Sequence, residues 1–307
     1  MEKGLKVLIT GGTGSVGRKL CEFLTAQHVE VSILSRRKNN NSKYKTYLWD
    51  HEQYLIDTDA FEDIDYIIHL AGAGIADKRW TESRKKEILD SRVKTTALLY
   101  KALSKSKHKV KGIISASAVG YYGQTTTDNN FKEEDQPGND FVASVCKAWE
   151  TAVNKFQDLG MRTVNLRIGI VLMKKGGALE KMAQPFYWNV GAPLGSGKQI
   201  IPWIHLTDLN RIILQAINSS DMQGPYNCCA PDPVSNSEFS SQIATVLRKR
   251  IWLPKVPSWV LRLILGRRSV LLTEGSRVSS EKILKTKFEF KYPKLLPALQ
   301  NLLVSKP

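Results

Sequence analysis

Apolar residues in this chain fall into short continuous runs separated by longer stretches of helical period. Val7-Leu8-Ile9 is one such run, ending at Thr10-Gly11; its length and continuity predict a strand buried on both faces. Further strands are expected over Val29 to Ser35, Asp65 to Gly72, Gly112 to Ser117 and Thr163 to Ile168. Between them the pattern turns helical: a helix beginning at Arg18, a long Lys-, Glu- and Leu-rich helix from Thr81 to Ser104, and another around Ala143 to Leu159. This alternation through residue 170 predicts an α/β, Rossmann-type doubly wound parallel sheet. Ligands of such sheets bind beyond the C-terminal strand ends, where Gly11, Ser35, Ala71 and Ser117 fall.

The first strand runs straight into Thr10-Gly11-Gly12-Thr13-Gly14-Ser15-Val16-Gly17. Glycines at 11, 14 and 17 permit a tight turn, close approach of backbone to a pyrophosphate, and close helix packing. The helix that follows, with Ser15 and Val16 leading into it as cofactor-binding candidates, offers unpaired N–H groups and a partial positive charge to phosphates. A dinucleotide pocket is the expectation. The second strand indicates which dinucleotide, because an acidic residue at its end would hydrogen-bond a ribose 2′-hydroxyl, whereas Arg accommodates a 2′-phosphate. Here it ends Ser35-Arg36-Arg37-Lys38 with no carboxylate. Ser35 can bond one phosphate oxygen and Arg36 can fork two, which favours NADP(H) over NAD. Arg37 either joins them or begins a solvated loop with Asn39-Asn40-Asn41-Ser42.

Composition narrows the class. With 307 residues, 42% of them hydrophobic, the chain can bury a large core in one large or two unequal domains. No run approaches the roughly 20 apolar residues of a membrane span, and the chain opens on a strand rather than a signal peptide. Cys21, Cys146, Cys228 and Cys229 show no paired zinc or disulfide spacing, so reduced thiols, no metal and a cytoplasmic setting are expected. The net charge of +16 is spread over the whole chain with no basic tail or nucleic-acid module. It is read as a solvated surface that can steer an anionic ligand, and neither nucleic acid nor membrane is expected as a partner.

Several motifs in one order carry a family resemblance. The glycine loop, His69-Leu70-Ala71-Gly72 and Ser115-Ala116-Ser117-Ala118-Val119-Gly120-Tyr121-Tyr122-Gly123 resemble an extended short-chain dehydrogenase/reductase of the NAD-dependent epimerase type. Lys78-Arg79-Trp80, Ser91-Arg92-Val93, Cys146-Lys147-Ala148-Trp149-Glu150, Gly195-Ser196-Gly197-Lys198-Gln199, Trp203-Ile204-His205 and Ala230-Pro231-Asp232-Pro233-Val234 resemble its atypical, sugar-nucleotide-epimerase-like subgroup.

The resemblance implies an NADP-binding domain over residues 1–170 plus about 203–230. It also implies a smaller, mainly helical substrate domain over about 171–202 plus 231–307. It adds Leu70, Ala71, Gly72, Glu87, Arg92 and Val171 to the cofactor surroundings; Arg92 could instead pair with Glu87. It places Ser117 at the serine that orients a substrate carbonyl. Aligning Glu150 with the family's glutamate puts Val142 and Cys146 where the usual Tyr and Lys stand. Valine cannot transfer a proton, so Cys146 and the nearby hydroxyls of Tyr121 and Tyr122 become candidates. A homodimer through the helices around Ser83 to Leu103 and Ala143 to Phe156 is a further implication. Two functions follow: an NADP(H)-dependent oxidoreductase or epimerase acting on a carbonyl or hydroxyl substrate, with nucleotide-sugar-like compounds among the options, or an NADPH-binding sensor or interaction protein with little or no catalysis.

Overall fold

The computed structural model describes residues 4–37 and 42–304; Lys38 and the asparagine run after it lie outside the described residues. An eight-stranded sheet forms the frame. At its centre β1 (Lys6–Thr10) pairs in parallel with β2 (Glu30–Ser35) on one side and β5 (Tyr66–His69) on the other. Beyond β2 lie β3 (Lys45–Asp50) and a short antiparallel edge, β4 (Leu55–Ile56). Beyond β5 come β6 (Gly112–Ala118), β8 (Arg162–Ile168) and β12 (Gly224–Cys228), all parallel. The strand order reverses around β1, so the crevice outside its C-terminal end is where such sheets take ligands.

Both faces are covered, which explains the unbroken apolar runs. On one face α1 (Ser15–Ala26) and α5 (Leu206–Asn218) bury Leu20, Leu24, Leu209 and Ile213 against Val7, Ile9, Ile68 and Ile114. On the other, α2 (Glu82–Leu103) and α3 (Phe141–Asn154) bury Leu98, Leu99, Trp149 and Val153 against Leu8, Ile67 and Ile113. Each fully buried aliphatic side chain is worth about 1.5–3 kcal/mol. Thr81 caps α2 and Asp140 caps α3, each accepting from a backbone N–H of the first turn. Helix α1 starts at Ser15, earlier than the expected Arg18. Its N-cap is Gly14, whose N–H bonds Gly11 O at 3.0 Å, so the glycine turn itself forms the helix entry.

A separate core gathers α4 (Ala178–Tyr187), α6 (Asn236–Val246) and α10 (Leu295–Leu303) around Leu179, Phe186, Trp203, Phe239 and Leu299. Pro185 sits in the last turn of α4. The strands β9 (Ile170–Leu172) and β11 (Trp203–His205) pair beside this core. The remaining ladders are β7 (Asn130–Phe131) with β14 (Arg277–Val278), and β10 (Ile200–Ile201) with β13 (Val234–Ser235). Between α6 and α10 lie α7 (Ser258–Leu265), α8 (Val270–Thr273) and α9 (Glu281–Lys285). The last of these turns back: Ile283 and Phe288 are buried with the main sheet.

Candidate active site

Three positions of the glycine turn, Gly11, Gly12 and Gly17, have no room for a side chain. A Cβ on Gly17 would lie 2.2 Å from Gly11 O, and one on Gly11, at φ +71°, would lie 2.9 Å from the Leu70 carbonyl carbon. Gly12 is pressed as closely, 2.6 Å from the Ile33 side chain, a constraint the sequence pattern did not reveal. No side chain caps α1, and no acidic residue stands in its first turn. Its leading N–H groups, at Ser15 and Val16, therefore face the crevice without a competing acceptor, a ready anion site. Gly176, at φ +78° in the loop after β9, approaches Ser15 so closely that a Cβ there would lie 3.1 Å from its Oγ. Val171, in β9, borders that loop.

Behind the loop lies a buried polar chain that the sequence pattern missed. His69 Nδ1 meets Thr10 Oγ1 at 2.7 Å and Nε2 meets Thr96 Oγ1 at 3.0 Å. Thr96 Oγ1 donates to Arg92 O at 2.6 Å, and Thr10 Oγ1 accepts from Ala71 N–H at 3.2 Å. The ends of β1 and β5 are thus pinned to α2. Burial holds His69 neutral, its pKa pushed down to about 3, with the Arg92 charge adding to the effect.

At the end of β2, Ser35 Oγ accepts from Arg37 N–H at 3.3 Å, and Arg36 and Arg37 are exposed. Arg36 is close enough to Glu87 to help hold that carboxyl below its ordinary range, after the dominant effect of Arg84. Glu87 pairs with Arg84 at 2.7 Å and not with Arg92. The Arg92 guanidinium lies 5.0 Å from the Trp149 ring centre, and its Nη1 donates to Ala73 O at 3.0 Å and Ile88 O at 2.9 Å. It faces Gly72, where a Cβ would lie 3.0 Å from its Cζ.

The expected catalytic groups stand differently from the sequence reading. Ser117 is 4% exposed and its Oγ donates to Glu150 Oε1 at 2.6 Å. Glu150 in turn holds Arg167 by two bonds, Nε to Oε1 and Nη2 to Oε2, each 2.9 Å. Arg167 Nη1 completes the cluster on Tyr122 Oη and Glu133 O, both at 3.0 Å. In this structure the Ser117 hydroxyl is thus engaged by a buried ion pair. Tyr122 is committed too, donating to Asn227 Oδ1 at 2.7 Å, with burial raising its pKa far above the usual phenol value.

Cys146 is buried, and its thiol is pushed up to about 12 by desolvation, with Arg92 only partly opposing the rise. Burial and desolvation thus favour its neutral thiol form. Val142 fills the space at Gly120, where a Cβ would lie 2.4 Å from its Cγ1. Of the hydroxyls near this strand end, Tyr121 is the one left uncommitted: half-buried, its ring lies 3.5 Å from the Arg167 guanidinium and its Oη bonds no described residue. His205 caps α5, Nδ1 accepting from Thr207 N–H at 3.1 Å, and its ring stacks on Tyr292 at 3.9 Å. Burial lowers its pKa to about 4.

Residues 7–229 match the NAD dependent epimerase/dehydratase family over well more than half of the chain. The chain belongs to that family. Residues 256–302 match a second family, DUF1731, a domain of unknown function. Among relatives, the epimerase family protein YfhF of Bacillus subtilis is 36% identical over 304 residues, covering 98% of this chain and 99% of that protein. The human epimerase family protein SDR39U1 is 34% identical over 303 residues, with 97% and 99% covered. A crystal structure of SDR39U1 with NADPH superposes with a TM-score of 0.87 over 97% of this chain and 99% of that one, at 33% identity. A nucleoside-diphosphate sugar epimerase from Corynebacterium glutamicum gives 0.80 at 30% identity, covering 98% of this chain and 58% of that one. No helix among the described residues is long and apolar enough to cross a membrane, and no three His, Cys, Asp or Glu side chains there gather as a metal site would need.

Proposed function

We propose that this epimerase-family protein binds NADP(H) in the crevice over β1 and acts as an oxidoreductase or epimerase on a small carbonyl or hydroxyl compound. The observation that carries the cofactor reading is the uncapped start of α1 behind a turn that leaves no room for a Cβ at Gly11, Gly12 or Gly17. The NADPH found with SDR39U1 supports it. Gly11, Gly14, Ser15, Val16 and Gly17 cradle the pyrophosphate through backbone N–H groups. Ser35 and Arg36, with Arg37 flanking, take the 2′-phosphate. Leu70, Ala71, Gly72 and Val171 wall the nicotinamide side, Arg92 stands at its edge, and Glu87 borders the adenosine side through Arg36. The cofactor, when bound, supplies or accepts a hydride at its nicotinamide ring. Tyr121 is the protein hydroxyl free to exchange the accompanying proton, and Ser117 keeps the strand end in place through Glu150.

NADPH is expected to bind more tightly than NADH, with Arg36→Ala removing most of the difference. A charge-assisted contact of about 1.5–3 kcal/mol corresponds to roughly 10- to 150-fold in affinity. Equal affinities for the two cofactors in the unaltered protein refute the assignment. A second reading has its own support: with Val142 packed on Gly120 and Cys146 a buried neutral thiol, the usual proton machinery is gone. In that reading the protein is an NADPH-binding sensor or interaction partner. NADPH oxidation across a panel of carbonyl compounds separates the two, since turnover lost in Tyr121→Phe supports the enzyme and none on any compound supports the sensor.

A further inference from the structure

Arg92 is a cation held mostly out of water that pairs with no acid among the described residues. Its one bonded nitrogen, Nη1, meets two backbone carbonyls, while Glu87 on the same helix is taken by Arg84. Asp90, the next acid along α2, pairs with Lys86 and with Lys94. Glu150, on the facing helix α3, is doubly bonded to Arg167. A guanidinium withdrawn from water gains from an anionic partner, yet Nε and Nη2 donate to no described residue and are not sealed off in the interior. That unused edge carries the two-pronged donor geometry that matches a carboxylate.

Its surroundings restrict what can reach it. Gly72 stands at the end of β5 so close to Arg92 that a methyl group there would press on the guanidinium, and the Trp149 ring lies 5.0 Å away. A carboxylate presents two oxygens in one plane, the arrangement that two parallel N–H donors on one guanidinium edge accept. By topology this position lies on the β5 and β6 side of β1, opposite the β2 end that carries Arg36. It is therefore separate from the 2′-phosphate contacts.

We propose that Arg92 binds the carboxylate of the substrate, so that the compounds this site takes are small organic acids held beside the nicotinamide half of the crevice. The assignment rests on the cofactor reading only for which reactive group lies next to the acid; the anion site itself does not require it. Calorimetric titration with oxalate, of the free protein and of the protein saturated with NADPH, tests it. Oxalate is expected to bind saturably, its neutral diamide oxamide not at all, and inorganic phosphate more weakly than oxalate. Arg92→Gln should weaken oxalate at least tenfold, Arg92→Lys should retain part of the binding, and both should keep the affinity for 2′,5′-ADP within twofold. Oxalate binding unchanged in Arg92→Gln, no saturable oxalate binding in either form, or tighter binding of phosphate overturns the proposal. So does a parallel loss of 2′,5′-ADP, which would make Arg92 a support of the whole pocket. Failure of the unaltered protein to bind NADPH or 2′,5′-ADP, with oxalate binding intact, defeats the cofactor reading and leaves this one standing.

Discussion

Ser117 shows how a residue's neighbours decide its work. Strand β6 turns it toward Arg167 and Glu150, and its 2.6 Å bond to a carboxylate is charge-assisted. Removing that hydroxyl leaves one carboxylate oxygen with a single partner in a buried cluster. Ser117→Ala is accordingly expected to lower unfolding free energy by about 1.5–3 kcal/mol, the range for hydrogen bonds to charged groups, while NADPH affinity stays within twofold. Urea unfolding and a cofactor titration on the same preparations check both halves. Intact stability with lost cofactor affinity would return Ser117 to the cleft. The sequence could not show this orientation, because Glu150 and Arg167 lie far along the chain. Arg92 misleads for a related reason: Glu87 stands near it on the helix, but Arg84, one turn from Glu87, reaches the carboxylate at 2.7 Å.

Among elements, β1, the glycine turn and α1 were the most legible part of the molecule, since their constraints are local. A strand buried on both faces shows as a continuous apolar run, and a turn that needs close backbone approach shows as glycine. The start of α1 was missed only because Gly14, a weak helix former, is its cap. The buried chain from Thr10 through His69 to Thr96 left no pattern in the sequence, as it joins three elements through single atoms. The close packing of the turn yields a direct expectation. In Gly17→Ala the new methyl would lie 2.2 Å from a backbone oxygen that has no room to yield, so either α1 shifts away from β1 or the turn opens. The variant should lose NADPH binding by at least tenfold and unfold at lower denaturant concentration, as read by cofactor fluorescence and circular dichroism. A fully stable variant with unaltered affinity would mean that the turn is not the cradle it is built to be.

For the molecule as a whole, two buried neutral histidines couple its stability to acid. His69 lies between Thr10 and Thr96 with its pKa near 3, and His205 caps α5 with its pKa near 4, against an ordinary value of 6.5. Both are depressed, so the folded protein binds fewer protons than the unfolded chain as pH falls below 6.5. Stability is therefore fully present above 6.5 and declines as pH drops toward 4, by up to about 1.4 kcal/mol per pH unit for each histidine. Glu133 works in the opposite direction: burial raises its pKa, so the folded state takes up a proton earlier than the unfolded chain and offsets part of the loss at the acid end. The steepest decline should consequently fall between about pH 6 and pH 5, where the histidines titrate in the unfolded chain and most carboxyls do not yet. Urea midpoints taken at half-unit steps from pH 7.5 to 4.5 trace it, and His69→Gln, which keeps polar atoms beside both threonines but cannot titrate, should flatten the slope by close to one proton. A midpoint that stays level through this window, or a slope unchanged by His69→Gln, would mean that His69 carries its proton inside the folded protein.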